Sequence, residues 1–253
     1  MFAFIGDKID FAYKEDYASS LNDQYYKHMH HFYELLYFLD GEVEYVVEQE
    51  RKKLKRGDLI LIRPGSLHFA DVRRTTKYCR YVLKFDESVL PSFLQERLSK
   101  GNAFNHFAEK ELFEKLETIA TNYEQEEANA LLIGILIEIL IHLSHQETNQ
   151  TTAETTYSSH VIAYVEQHIK EKLSLESIAS ALGLSKSYLS ALFVKDMKVP
   201  LMHYVRSKKV IEARKAILQG KKASDAANEF GFEDYSTFYR SYIKFIGVPP
   251  TKK

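Results

Sequence analysis

Between residues 34 and 85, apolar and polar side chains alternate with the period of two expected of strands. The runs are Glu34 to Leu39, Val43 to Val47, Asp58 to Ile62 and Tyr78 to Phe85. Turn signals separate them at Asp40-Gly41, Arg56-Gly57 and Pro64-Gly65. Several short strands at this spacing predict a small β-barrel or jelly roll. Beyond residue 108 the period changes to three and four, which predicts two helices, 109–126 and 128–145. The second carries Leu131, Leu132, Ile133, Ile135, Leu136, Ile137, Ile139, Leu140 and Ile141. A helix apolar nearly all round must be covered on several sides, by a partner subunit or by its own chain. Residues 146–156, built mostly of Thr, Gln, Asn and Glu without periodicity, read as a surface linker.

From His160 onward the pattern is helical, with Val161, Ile162, Val165 and Ile169 recurring at helical spacing. Ser174 caps a short helix with Glu176 in its first turn and Leu175, Ile178, Ala179 and Leu182 inward, and Gly183 ends it. Ser185 then caps a helix with Leu189, Leu192 and Phe193 on its inner side. Two helices around a tight glycine turn make a helix-turn-helix, whose second helix enters the major groove of DNA. The same grammar returns: Ser224 caps a helix with Ala226, Ala227 and Phe230, Gly231 ends it, and Asp234 caps a helix with Phe238, Tyr242 and Phe245 inside. Ala179-x-x-Leu182-Gly183-Leu184 matches Ala227-x-x-Phe230-Gly231-Phe232 at an offset of 48. After one inserted residue, Leu189, Phe193, Lys195 and Val199-Pro200 match Phe238, Tyr242, Lys244 and Val248-Pro249 at 49. Between the copies, Leu201 to Gln219 reads as one helix with Val205, Ile211 and Leu218 inward and Gly220 past its end. At about 28 Å, it could hold two reading helices against groove segments one turn, roughly 34 Å, apart.

The run from His160 to Pro250 resembles the DNA-binding domain of the AraC/XylS transcription regulators, two helix-turn-helix units joined by a long helix. The stretch from Ala226 to Asp234, followed by Phe238, Arg240, Gly247 and Pro249, is similar to the family signature. Three positions depart from it. Lys198 stands where the family often has Gly, Lys209 where the linker helix often has Arg, and the chain ends at Thr251-Lys252-Lys253 where the family usually continues. The resemblance implies an α+β protein of three parts. Residues 1–150 form a cupin-like ligand-sensing and dimerisation barrel with following helices, 151–157 a linker, and 158–253 an all-α DNA-binding domain. Its helix-turn-helix units fall at about 174–197 and 224–246. The expected function is a ligand-responsive, sequence-specific transcription regulator and homodimer, with double-stranded DNA, a small-molecule effector and RNA polymerase as partners.

Charge first argues against a DNA binder, because the 253 residues carry a net charge of -1. Divided at the linker, residues 158–253 hold 16 Lys and Arg against 9 Asp and Glu, while the first 157 hold 18 against 26. A basic last part bearing both helix-turn-helix copies suits phosphate contact. The single cysteine, Cys79, cannot form an internal disulfide, and no zinc spacing is present. Met1 to Ile5 is cut off by Asp7, Lys8 and Asp10, so no signal peptide is expected. The apolar stretch Ala128 to Leu143 falls short of the ~20 residues that span a bilayer. A cytoplasmic protein without membrane contact is the expectation.

Helical faces nominate the residues that meet DNA. In the first reading helix Lys186, Ser187, Ser190, Ala191 and Lys195 face outward, and in the second Tyr235, Ser236, Tyr239, Arg240 and Lys244. Arg240 is the candidate for a bidentate guanine contact and Ala191 for apolar contact with a thymine methyl. Lys186, Lys195 and Lys244 are candidates for phosphate contacts, which position without specifying.

In the first part, His28-x-His30-x3-Glu34-x6-Gly41, then Gly57 and Pro64-Gly65-x2-His68, resembles the two cupin motifs. His28, His30 and Glu34 share parity, so on an extended strand they project from one face, and His68 could join them. Such a set suits Zn, Fe or Mn. It equally suits hydrogen bonds to a polar small molecule in a barrel mouth, with Tyr26, Tyr33, Tyr37, Arg63 and Tyr81 contributing. Aromatic rings beside carboxylate and imidazole fit a sugar. The expectation is a sensor with no catalytic residues and no obligatory cofactor. The alternative is a metal-dependent cupin enzyme with a DNA-binding domain, its divalent metal on His28, His30, Glu34 and His68.

Overall fold

The computed structural model describes residues 2–18, 28–48, 50–72, 75–98, 104–145 and 157–250. The expected linker up to residue 156, Tyr26 and the last three residues lie outside them. Two compact units are present, one holding residues 2–18 and 32–145, the other 28–31 and 157–250.

The first unit contains β1 (Phe2–Ile5), β2 (Ile9–Ala18), β3 (Tyr33–Gly41), β4 (Glu44–Val47), β5 (Glu50–Lys53), β6 (Asp58–Ile62), β7 (His68–Asp71), β8 (Thr76–Phe85) and β9 (Phe104–His106). Its helices are α1 (Ser92–Leu98), α2 (Lys110–Asn122) and α3 (Gln125–Ser144). Six strands pair antiparallel in the order β1-β2-β8-β3-β6-β9, and β5-β4-β7 form a smaller sheet. The four strands expected from the alternation are all present, and β1, β2, β5, β7 and β9 add to them.

Period-two geometry gives the large sheet two different faces. Phe11, Leu35, Tyr37, Leu59, Leu61, Tyr81 and Leu83 pack against Leu94 of α1, Phe113 and Leu116 of α2, and Leu132, Leu136 and Leu140 of α3. From the opposite face, Leu36, Phe38, Ile60, Ile62, Tyr78 and Val82 meet Val43, Tyr45 and Val47 of the smaller sheet. Both faces are therefore apolar, and β3 and β6 read as continuous buried runs. Helix α3 exceeds the sequence expectation: at 20 residues it is long and apolar enough to cross a membrane by length and composition. Its Leu132, Leu136, Ile139 and Leu140 are instead buried against the sheet, which makes it the core helix of this unit.

The second unit runs α4 (Tyr157–Gln167), α5 (Leu175–Ala181), α6 (Lys186–Met197), α7 (Leu201–Leu218), α8 (Ala223–Glu229) and α9 (Tyr235–Ile246). Helices α5 and α6 meet at 96° around Gly183, within the range of helix-turn-helix pairs. Ser174 and Ser177 form a reciprocal capping box on α5, Ser185 caps α6 and Asp234 caps α9. Ser224 does not cap α8: the helix starts two residues earlier than such a cap implies, with Lys222 at the cap, so the Ser224 hydroxyl lies in the first turn and turns to Asp225. Leu218 is also not inward, because it ends α7 beyond the packed faces and is 53% exposed. Leu175, Leu182, Leu192 and Phe245 are half-buried.

Lys198 occupies the left-handed region at φ 55°, capping α6, and its repeat-mate Gly247 caps α9 at φ 87°. The family's preference for glycine at 198 thus has a local cause: an L side chain in this region is strained and glycine is not. Lys198→Gly is expected to stabilise the second unit by about 0.5–1 kcal/mol. Urea melts of the two proteins test this, and equal midpoints would mean the strain is absorbed elsewhere.

Candidate DNA-reading helices and effector site

Helix α6 is fixed from within by Leu189, Phe193 and Met197, and α9 by Phe238, Tyr242 and Ile246. The remaining sides face outward. On α6, Lys186, Ser187, Ala191 and Lys195 are exposed and Ser190 is half-buried; on α9, Tyr235, Ser236, Tyr239, Arg240 and Lys244 are all exposed. The sequence reading passed over Tyr188 and Val194, which are 50% and 40% exposed on α6. Lys186 reaches Glu176 of α5 at 3.3 Å, a solvent-exposed pair that phosphate can displace.

Helix α7 joins the two readers and spans about 27 Å at 1.5 Å per residue. Lys209 on it is only 5% exposed. Its Nζ donates to the Glu171 carbonyl oxygen, and to the Gly231 carbonyl oxygen at 3.4 Å. Burial pushes its pKa down to about 8. One amine therefore ties the segment after α4, the linker helix and the turn of the second helix-turn-helix.

In the first unit the polar candidates separate by face. Glu34 on β3 is 6% exposed and stands opposite Lys84 of β8, and His68 opens β7 fully buried, its ring stacked at 6.4 Å on Tyr45. Of the predicted His/Glu set this unit holds Glu34 and His68; His28, exposed, and His30, buried, fall in the other unit. The His68 Nδ1 lies 2.9 Å from the Ser66 carbonyl oxygen, the arrangement that leaves Nε2 as the atom offered. Imidazole and carboxylate are ligand types that divalent transition metals take.

Tyr37, Arg63 and Tyr81 are not part of this group, because the pleat points them to the helix-covered side of the sheet. Tyr37 stacks on Phe113 at 4.3 Å, and Tyr81 donates from its hydroxyl to Glu117 at 2.8 Å. Arg63 donates from Nε to the Leu98 carbonyl at 2.7 Å, and Tyr33 stacks on Phe85 at 5.3 Å. On the barrel side the structure places residues that sequence reasoning missed. Arg80 is 7% exposed, pairs with Asp16 at 2.9 Å and lies 3.9 Å over the Tyr78 ring. Burial raises the Tyr45 hydroxyl well above its usual range. Lys14, opposite Arg80, is lowered by burial and then by the charges of Lys84 and Arg80. The available signal was parity: Lys14 and Asp16 alternate with Phe11 and Tyr13 along β2.

Comparison with known proteins agrees with both units. The AraC-like ligand binding domain family matches residues 17–140, and a helix-turn-helix domain family matches 178–253. The multiple antibiotic resistance protein MarA of Escherichia coli is 32% identical over 93 residues, covering 36% of this chain and 73% of MarA. The uncharacterised regulator YdiP of Escherichia coli is 20% identical over 232 residues, covering 86% of this chain and 77% of YdiP. Among solved structures, apo ToxT from Vibrio cholerae aligns over 97% of this chain and 96% of its own at 13% identity, with a TM-score of 0.43. With a ligand-binding domain ahead of a doubled helix-turn-helix, the chain belongs to the AraC/XylS-type transcription regulators.

Proposed function

We propose that this regulator reads DNA with α6 and α9 and is controlled by a polar small molecule held on the barrel side of the large sheet. The observation that carries the sensor reading is a polar group set inside an otherwise apolar interior. Glu34, His68 and the Arg80–Asp16 pair are buried among Leu36, Phe38, Ile60 and Val82. Keeping such groups in an apolar interior costs free energy, and a polyhydroxylated ligand such as a sugar can exchange hydrogen bonds with carboxylate, imidazole and guanidinium alike. Glu34 and His68 are its proposed contacts, with Tyr45 and Tyr78 beside them. Control requires that the ligand bind one arrangement of the protein better than another.

The protein acts on DNA inside the cell, without catalysis, as a homodimer that meets RNA polymerase at promoters. The exposed side of α3 supports pairing: Leu131 is exposed, and beside Gly134 there is open space where another helix can approach. Sedimentation of the full chain tests this, and a monomer at micromolar concentration removes it.

The ligand chemistry of His28, His30, Glu34 and His68 suits a second reading in which a divalent metal is the signal or holds it. One thermal-shift series, with sugars in one arm and Zn, Mn or Fe(II) in the other, separates the two. A ligand at 100 times its Kd should raise the midpoint by about 5–10 °C. Metal retained at one per chain and lost in His30→Ala supports the metal reading. Failure of every small molecule and metal to move the midpoint would sink the sensor proposal.

A further inference from the structure

The two helix-turn-helix copies differ at the positions where a base would be read. At the offset of 49 that relates α6 to α9, Asp234, Thr237 and Arg240 of α9 correspond to Ser185, Tyr188 and Ala191 of α6. On α9 these three residues are spaced three apart, so each neighbours the next along the exposed side of the helix. They form a hydrogen-bonded relay. The Asp234 carboxylate accepts from the Thr237 backbone N–H at 2.7 Å and from its hydroxyl at 2.8 Å. With its proton committed to Asp234, the Thr237 hydroxyl oxygen accepts from Nη2 of Arg240 at 3.4 Å. Both Thr237 bonds, and then the Arg240 charge, hold the Asp234 carboxyl below its usual range, so it stays ionised and keeps its acceptors.

We propose that Thr237 is a positioning residue that aims the Arg240 guanidinium before DNA arrives, and that this relay makes α9 the specificity-determining half of the DNA reader. The proposal rests on Arg240 reading a base. A bond from one Nη2 N–H leaves the Nη1 N–H groups and the second Nη2 N–H available as the fork that matches O6 and N7 of guanine. An unrestrained arginine surrenders its side-chain freedom on binding, and a restrained one has less to lose. Tyr188 and Ala191 offer no such fork on α6. Their apolar surfaces suit thymine methyl groups, which discriminate less than a bidentate pair.

The test uses the full chain. A duplex is selected from a pool with a randomised centre, and binding is measured by fluorescence anisotropy on it and on duplexes with each guanine replaced in turn. Arg240→Ala should erase the preference at one guanine, about 5- to 100-fold. Thr237→Val should cut the preference at that same guanine about three- to tenfold, with affinity for unrelated DNA unchanged and the melting temperature near that of the parent. Thr237→Ser, which keeps the hydroxyl, should restore it. Thr237→Ala keeps the backbone N–H that Asp234 caps and repeats the test if the valine variant folds poorly. If Arg240→Ala erases the preference while Thr237→Val and Thr237→Ala leave it intact, Thr237 does not aim Arg240, though Arg240 still reads. If Arg240→Ala weakens binding equally on every duplex, Arg240 is a phosphate contact and the reading beneath the proposal fails.

Discussion

Gly231→Ala is expected to destabilise the second helix-turn-helix by about 3–4 kcal/mol, against about 1 kcal/mol for the same change at Gly183. The two glycines hold equivalent places in the repeat, with φ of 65° and 66°. The conformational strain of adding a side chain is therefore the same at both. Their surroundings differ. A Cβ at 231 would lie 2.5 Å from the Glu171 carbonyl oxygen and 2.8 Å from both its carbonyl carbon and Lys209 Nζ, while one at 183 meets nothing within 4 Å. Two of the three atoms in the way are backbone, which cannot swing aside, and the third is an amine already engaged with Glu171 and Gly231. Urea unfolding of the two variants, followed by helical circular dichroism, measures the difference. Equal losses would show that contact around Gly231 contributes nothing beyond backbone strain.

DNA affinity is expected to fall about 10³-fold between 50 and 200 mM salt if six phosphates are contacted, with log affinity linear in log salt. The basis is the charge of residues 158–253, where 16 Lys and Arg stand against 9 Asp and Glu. Lys186, Lys195 and Lys244 are exposed on the two reading helices. Cations on DNA displace condensed counterions, and each contact adds nearly one unit to the slope. Removing Lys195 should lower the slope by about one and weaken all sequences alike. A flat salt curve for the full chain would mean that the acidic first 157 residues cancel the field of the basic part.

Legibility in the sequence followed the range of the forces involved. The boundaries of α5, α6 and α9 were readable because Ser174, Ser185 and Asp234 act within one helical turn, through bonds to residues three positions away. Ser224 misled for the same reason: a serine before an apolar run looks like a cap, and only the start of α8 at Ala223 decides otherwise. Strands in the first unit were harder. Ile9, Phe11 and Tyr13 alternate with Asp10, Ala12 and Lys14, yet β2 is fixed by its pairing with β8, 58 to 76 residues away. Alternation also could not say which face of the large sheet lines the barrel, because both are apolar. Tyr37, three positions from Glu34 on β3, was already set on the opposite face by alternation within that strand; Tyr81 joins it there only through register with β8, while Arg80 joined the barrel side unforeseen. Parity holds only within a strand: β3 begins at Tyr33, so His28 and His30 are not on it with Glu34, and parity between strands waits on register.

The Lys209 anchor bears on how the protein tolerates changes in its operator. Because a single buried amine fastens the linker helix to the turn of the second reader, that reader cannot pivot to follow a displaced half-site. Each added base pair between the two half-sites moves the far one about 3.4 Å along the duplex and about 34° around it. A jointed pair of readers would absorb that rotation. A fastened pair has to give up one half-site to keep the other, so spacing between the half-sites is itself part of the sequence this regulator recognises.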